Sequence, residues 1–252
     1  KSNDEEYIQN VADGIYQLEE LIDNINPNII ISLGDTELVK HQGLMLQYLK
    51  YTGVFIPYLA IDTGNPSKSW FDYNKTFMLT VSEYSKNELI KNNIIEENHV
   101  DTLPHIIDQN LFFSFSKEEK IKLRKNILGE RYVNSYIVGS INCNSLRKKW
   151  DILLKSFALF AQQKSNAVLV IKTNIKNINN KNIIYSGYDF NIILDKISNE
   201  YNIDKSRFII IDEHIPKNEL VKIYNLFDLF LTTTSGEGWG LTNIEAALCK
   251  IP

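Results

Sequence analysis

The chain has 252 residues, 44% of them hydrophobic and 23% charged, and a formal net charge of −4. That is enough chain for one large or two small domains with real apolar cores. The weakly acidic balance supplies no basic surface for nucleic acid, and no apolar run reaches the roughly 18 to 20 residues of a membrane span.

Helical spacing of Ile8, Val11, Ile15, Leu18 and Ile22 opens the chain, and Asn28 to Leu33 reads as a buried strand. A helix around Glu37 to Lys50 precedes a strand at Val54 to Ala60. Thr76 to Val81 is a further strand, Ser82 caps a helix running through Ile90, and His99 to Leu103 is a short strand stopped by Pro104. Asp108 to Ser116 has no clear period and marks a boundary, with a first domain over 1–112 and a second over 113–252. After a charged helix at Lys117 to Leu128, strands at Tyr136 to Ile141, Ala167 to Lys172 and Arg207 to Ile211 alternate with helices. Those helices are Trp150 to Gln163, Ile192 to Tyr201 and Lys217 to Leu226, and the Asn/Lys-rich stretch Asn174 to Asn182 reads as a surface loop. Alternating βα units predict parallel sheets with helices on both faces, an α/β chain of two doubly wound domains.

The last strand, Asp228 to Thr233, feeds an eighteen-residue string, Ser235 to Pro252, SGEGWGLTNIEAALCKIP. Glu237 lies in a turn with Gly236, Gly238 and Gly240, and Glu245 follows after seven intervening residues in a helix expected to start near Thr242. Strand, glycine turn and helix suit a phosphorylated ligand, because glycines admit close backbone N–H groups and a helix N-terminus favours negative charge. Thr242-Asn243-Ile244-Glu245 also reads as a capping box, in which Glu245 serves only the backbone. No such packing role suits Glu237, a carboxylate flanked by glycines.

This string resembles the donor-site signature of retaining glycosyltransferases of the GT-B fold, glycosyltransferase family 4 in particular. Trp239 stands where that family commonly has Phe. The resemblance continues through VSEYSKNELI (Val81 to Ile90), LPHIIDQNLF (Leu103 to Phe112) and HIPKNELVKIYNLFDLFL (His214 to Leu231), and covers about Pro57 to Pro252. In LPHIIDQNLF, Ile106 replaces the usual Gly. The resemblance implies that Glu237 contacts donor-sugar hydroxyls and Glu245 the ribose hydroxyls. It also implies that Gly238, Trp239, Gly240, Leu241 and Thr242 cover the diphosphate, and that His214 and Ile215 approach the base. Set against a GT-B enzyme with two sheets facing a cleft, the chain reads as incomplete at both ends.

A second constellation is Leu146-Arg147-Lys148-Lys149-Trp150-Asp151. Three cations at a helix start are each disfavoured by about 0.3 to 1 kcal/mol unless an anion sits there; the plain alternative is a solvated charge run. In the family this place supplies the diphosphate lysine, which matches Lys148, with Arg147 beside it. A further family Arg is absent from Ser140-Ile141-Asn142-Cys143-Asn144, and Asp62 stands where many relatives carry an acceptor-side His. His41 and His105 are further cleft candidates.

The reading is therefore a metal-independent retaining glycosyltransferase that needs no cofactor, with Glu237 and Lys148 as catalytic residues. Its donor is a UDP- or GDP-sugar and its acceptor a glycan, a lipid or another acceptor, carbohydrate or lipid-linked, which allows a peripheral membrane contact. No Asp-x-Asp occurs, which argues against the metal-dependent GT-A class, and the four histidines lack metal-ligand spacing. Cys143 and Cys249 form no Cys-x-x-Cys pair and, with no signal-peptide pattern, suit a cytoplasmic protein. One rival is a GT-B sugar phosphorylase, for which nothing marks a pyridoxal-phosphate lysine. The other is a non-catalytic glycosyltransferase-like subunit that binds a partner.

Overall fold

The computed structural model describes residues 17–61, 77–175 and 187–252. Ile8, Val11, Ile15, Asp62, Thr76 and most of the Asn/Lys-rich stretch lie outside the described residues. The chain forms two compact units, Lys1–Ile106 with Gly236–Trp239, and Ile107–Ser235 with Gly240–Pro252. The division thus falls six residues before the expected 112/113 boundary. Phe112 explains the difference, since it is buried in the core of the second unit with Tyr224 and Phe227.

In the first unit helix α1 covers residues 17–25. It is followed by β1 (Ile29–Gly34), α2 (Thr36–Tyr48), β2 (Val54–Leu59), β3 (Met78–Thr80), α3 (Glu83–Lys91) and β4 (Val100–Thr102). The strands form one parallel sheet in the order β1-β2-β3-β4. Asp35 caps α2 by accepting from Leu38 N–H, and Ser82 caps α3 by accepting from Ser85 N–H, the second as the sequence leads one to expect. Val39, Leu59, Met78, Leu89 and Val100 form the core. The buried-strand reading of Asn28 to Leu33 is corrected, because Ile29, Ile31 and Leu33 are more than half exposed. β1 is an edge strand of the sheet among the described residues, and its alternate side chains point away from the core cluster.

The second unit holds α4 (Lys117–Leu128), β5 (Tyr136–Ile141), α5 (Trp150–Gln163), β6 (Ala167–Lys172), α6 (Phe190–Tyr201), β7 (Phe208–Ile211), α7 (Leu220–Tyr224), β8 (Leu229–Phe230) and α8 (Leu241–Leu248). Ser116 and Glu119 form a reciprocal capping box at the start of α4. The four strands are parallel, in the order β7-β6-β5-β8. Helices cover both faces. Leu123 of α4, Tyr224 of α7 and Ala246 of α8 pack with Val168 and Val170 on one side. Leu153 and Phe157 of α5 and Ile197 of α6 pack with Leu169 and Ile171 on the other. Gly139 is needed where Phe227 crosses β5, since a Cβ there would stand 2.1 Å from the ring.

Two elements are shorter than their hydrophobic pattern predicts. Lys217 to Leu226 divides into a 3-10 turn at Lys217–Glu219 and the short α7. β8 keeps only two residues of Asp228 to Thr233. Asp228 is occupied as a brace at its start, its carboxylate accepting from Arg124 Nη2 at 2.7 Å and from Ile137 N–H at 2.8 Å.

Candidate functional site

The sheet of the second unit changes direction between β5 and β8. From β5 the chain steps outward through β6 to β7, then returns to the other side of β5. Ligands of open α/β sheets bind outside the carboxyl ends of the strands at such a switch point. The segments leaving β5 and β8 are the two that the sequence singled out.

After β5 the chain makes a 3-10 turn, Leu146–Lys148, and Lys149 takes a left-handed conformation (φ 52°) as the N-cap of α5. A lysine in that region costs on the order of 1 to 3 kcal/mol and persists only where surroundings impose it. Here they do. Thr233 Oγ1 donates to the carbonyls of Lys148 and Lys149 at 3.1 and 2.9 Å. Ser235 donates to the Arg147 carbonyl from its N–H at 2.9 Å and from its Oγ at 3.2 Å. Three consecutive carbonyls of the cationic turn are thereby fastened to the segment entering the glycine turn.

The turn is also held from behind. Fully buried Trp150 donates from Nε1 to the Cys143 carbonyl at 3.3 Å. Asn144 and Tyr188 exchange two bonds, and Tyr188 Oη donates to Asp151 at 2.7 Å. Burial and that carboxylate push the Tyr188 phenol up to about 12. Lys148 itself is buried and Arg147 half-buried. Asn142 Nδ2 donates to Thr232 Oγ1 at 3.4 Å.

Replacing Thr233 by Val should cost about 1 kcal/mol of stability, since two carbonyls lose one donor of unchanged shape. Urea denaturation measures it; an unchanged midpoint would mean the lacing is incidental.

On the β8 side the expected start of the last helix is corrected. Gly240, at φ 76°, is the N-cap and α8 begins at Leu241, so Thr242 is its second residue and makes no cap. Glu245 therefore lies beyond the first turn, and the capping-box alternative fails because no side-chain cap exists. Glu245 is only 7% exposed, and it accepts from Tyr224 Oη at 2.6 Å. Burial, the largest influence, raises its carboxyl above the usual 4.5, while the Tyr224 bond and Lys217 oppose that.

A raised carboxyl means the folded chain holds this proton more tightly than the unfolded chain. Its stabilising contribution is full below the unfolded value and is lost as the pH rises through the folded one. Replacing Glu245 by Gln should therefore shrink the fall in stability seen in urea titrations as the pH rises above about 4.5. An equal fall in both proteins would contradict the buried-charge account.

His214 is exposed and Ile215 half-buried in the segment after β7. Both line a cavity of about 570 Å³ with Ile209, Ile211 and Ile223 as apolar neighbours. The structure thus collects Arg147, Lys148, Gly240, Leu241, Thr242, Glu245, His214 and Ile215 in the second unit. Glu237, Gly238 and Trp239 group with the first. There a Cβ on Gly238 would stand 2.9 Å from Ala60 Cβ, and the Trp239 ring meets His105 edge-on at 6.4 Å. His105 Nδ1 pairs with Tyr58 Oη at 3.1 Å, and His41 Nδ1 is buried without a partner among the described residues. Sequence reasoning missed Tyr224, Thr233 and Ser235. Only the hydroxyl-rich run Thr232-Thr233-Thr234-Ser235 before the first glycine could have flagged the last two.

No family profile matches the sequence. Over 215 residues the chain is 22% identical to CapM of Staphylococcus aureus, a capsular polysaccharide biosynthesis glycosyltransferase. The match covers 84% of this chain and 49% of that protein, so the chain spans about half the length of this curated relative. Among solved structures, HepE from Anabaena in complex with UDP and glucose superposes with a TM-score of 0.70 at 16% identity, over 96% of this chain and 61% of HepE. Sucrose-phosphate synthase from Thermosynechococcus elongatus superposes at 0.72 and 13% identity, over 97% of this chain and 60% of the synthase. The fold is the GT-B fold of glycosyltransferases, as the sequence motifs led one to expect. Among the described residues no helix is long and apolar enough to cross a membrane.

Proposed function

We propose that the protein is a retaining glycosyltransferase of family 4 type that takes its sugar from a UDP- or GDP-sugar without a metal ion. The observation that carries the reading is the lacing of the Arg147–Lys149 turn to Thr233 and Ser235 at the β5/β8 switch point. It holds the cations at the start of α5, a helix whose N-cap makes no side-chain bond, beside the segment that leads to the glycine turn. All three favour a diphosphate. HepE binding UDP and glucose supports the same donor chemistry here, and the relationship to CapM supports a carbohydrate acceptor.

In this reading Lys148 and Arg147 stabilise the diphosphate as it leaves, with Gly240, Leu241 and Thr242 offering backbone N–H groups to it. Glu245 holds the ribose hydroxyls, and His214 and Ile215 border the base. Glu237 orients the donor sugar. The bond from the anomeric carbon to the diphosphate breaks, and the acceptor oxygen bonds to the same face. The acceptor proton passes to the departing phosphate oxygen. No side chain need act as general base.

The test is a thermal-shift panel of nucleotides and nucleotide sugars, followed by assay of nucleotide release from UDP- and GDP-sugars by the complete protein. Stabilisation by one diphosphate series together with release of its nucleotide is expected. Binding with no release from any sugar would favour the non-catalytic subunit.

A further inference from the structure

We propose that Tyr224 is a positioning residue for donor binding, its phenol holding the Glu245 carboxylate charged and aimed for a ribose diol. This rests on the nucleotide-sugar reading above. Tyr224 comes from α7, 21 residues before Glu245, and has no exposed surface. Its ring cannot swing away, because Phe112, Phe227 and Phe230 surround it with centroids 5.8, 6.2 and 5.9 Å distant. The hydroxyl is therefore fixed by packing, and its one proton is donated to Glu245 Oε2 at 2.6 Å. With Oε2 engaged, Oε1 is the oxygen through which the carboxylate accepts from the diol.

A buried carboxylate with too few donors takes up a proton and ceases to be an acceptor-only group. The groups that face Glu245 are few. Tyr224 comes from α7, Lys217 from the 3-10 turn before it, and Cys249 is the residue that caps the end of α8. The Cys249 thiol is pushed up to about 11, chiefly by burial and against the charge of Lys120 of α4, so it stays neutral. Burial raises the Glu245 carboxyl, and the phenol bond and Lys217 hold it down. Apart from the phenol, the only one of these groups that favours the anion is Lys217, through a charge at the exposed end of the site.

The experiment replaces Tyr224 by Phe, which keeps the ring, and titrates UDP and GDP into both proteins calorimetrically from pH 5 to pH 8. The Glu245 carboxyl is followed separately by carbon-13 NMR in the unliganded proteins. In Tyr224→Phe the carboxyl midpoint should move up, and the pH below which nucleotide affinity falls should move with it. The loss should be about tenfold between the two midpoints and smaller at pH 8. Because the Phe variant is at risk of folding poorly, Tyr224→3-fluorotyrosine, with a more acidic phenol and nearly the same shape, should move the midpoint down. A midpoint unmoved in either variant, or an affinity loss equal at every pH, overturns the positioning role. Wild-type protein that binds neither UDP nor GDP instead overturns the nucleotide-sugar reading itself.

Discussion

Replacing Glu237 by Gln should lower turnover by the complete protein about 100-fold while leaving UDP or GDP affinity within about twofold. Glu237 precedes Gly238, Trp239 and Gly240, whereas Glu245 follows them in α8. In the proposed pose the diphosphate lies over the intervening backbone, with the sugar on the Glu237 side and the ribose on the Glu245 side. The Gln variant keeps the backbone N–H groups, so the nucleotide still docks. The sugar loses a charged acceptor for its hydroxyls, and misorientation at the reacting carbon is costly, since positioning is worth several kcal/mol of barrier. Steady-state kinetics with the true donor and calorimetry with the nucleotide decide the matter. Undiminished turnover would remove Glu237 from the catalytic residues.

Replacing Lys148 by Ala should lower affinity for UDP or GDP tenfold or more and leave affinity for uridine or guanosine unchanged. A hydrogen bond to a charged group contributes about 1.5 to 3 kcal/mol. The site is desolvated, since Lys148 is only 8% exposed, which puts its contribution towards the upper end of that range. The variant leaves the turn in place, because its ties run through backbone carbonyls that Thr233 and Ser235 continue to hold. Calorimetry on nucleotide and nucleoside reads the difference. Equal losses for the two would mean that the lysine does not meet the phosphates.

Much of the architecture was legible because local signals agreed. The caps at Ser82 and the strand patterns at Tyr136 to Ile141 and Ala167 to Lys172 are found where the periodicity places them. β1 misled because its apolar run looks the same whether one face or both are covered, and edge position is a property of the whole sheet. β8 misled because Asp228 spends its carboxylate on Arg124 and Ile137, partners 104 and 91 residues away, which no window of sequence contains. The start of α8 was misplaced by one residue, and with it the capping role of Thr242. A left-handed Gly240 starts a helix without a side-chain cap, and sequence patterns rank Thr above Gly for that place.

The candidate site divides along the same line. Glu237 stands out as a carboxylate flanked by glycines, Glu245 by its spacing from Glu237, and Arg147 and Lys148 as cations at a helix start. What fixes them does not stand out. Tyr224 lies in an ordinary amphipathic stretch, and only the folded chain brings its phenol to Glu245. Thr233 and Ser235 read as loop residues until their hydroxyls are seen on the carbonyls of the cationic turn.

The central claim is that three separate segments at the carboxyl edge of the second sheet bind one nucleoside diphosphate. Hydrogen–deuterium exchange of the protein with and without UDP or GDP tests it directly. The account predicts slowed exchange in peptides covering 146–150, 212–217 and 240–246, with β1 and α6 unchanged. Slowing confined to other segments, or none with either nucleotide, would contradict it.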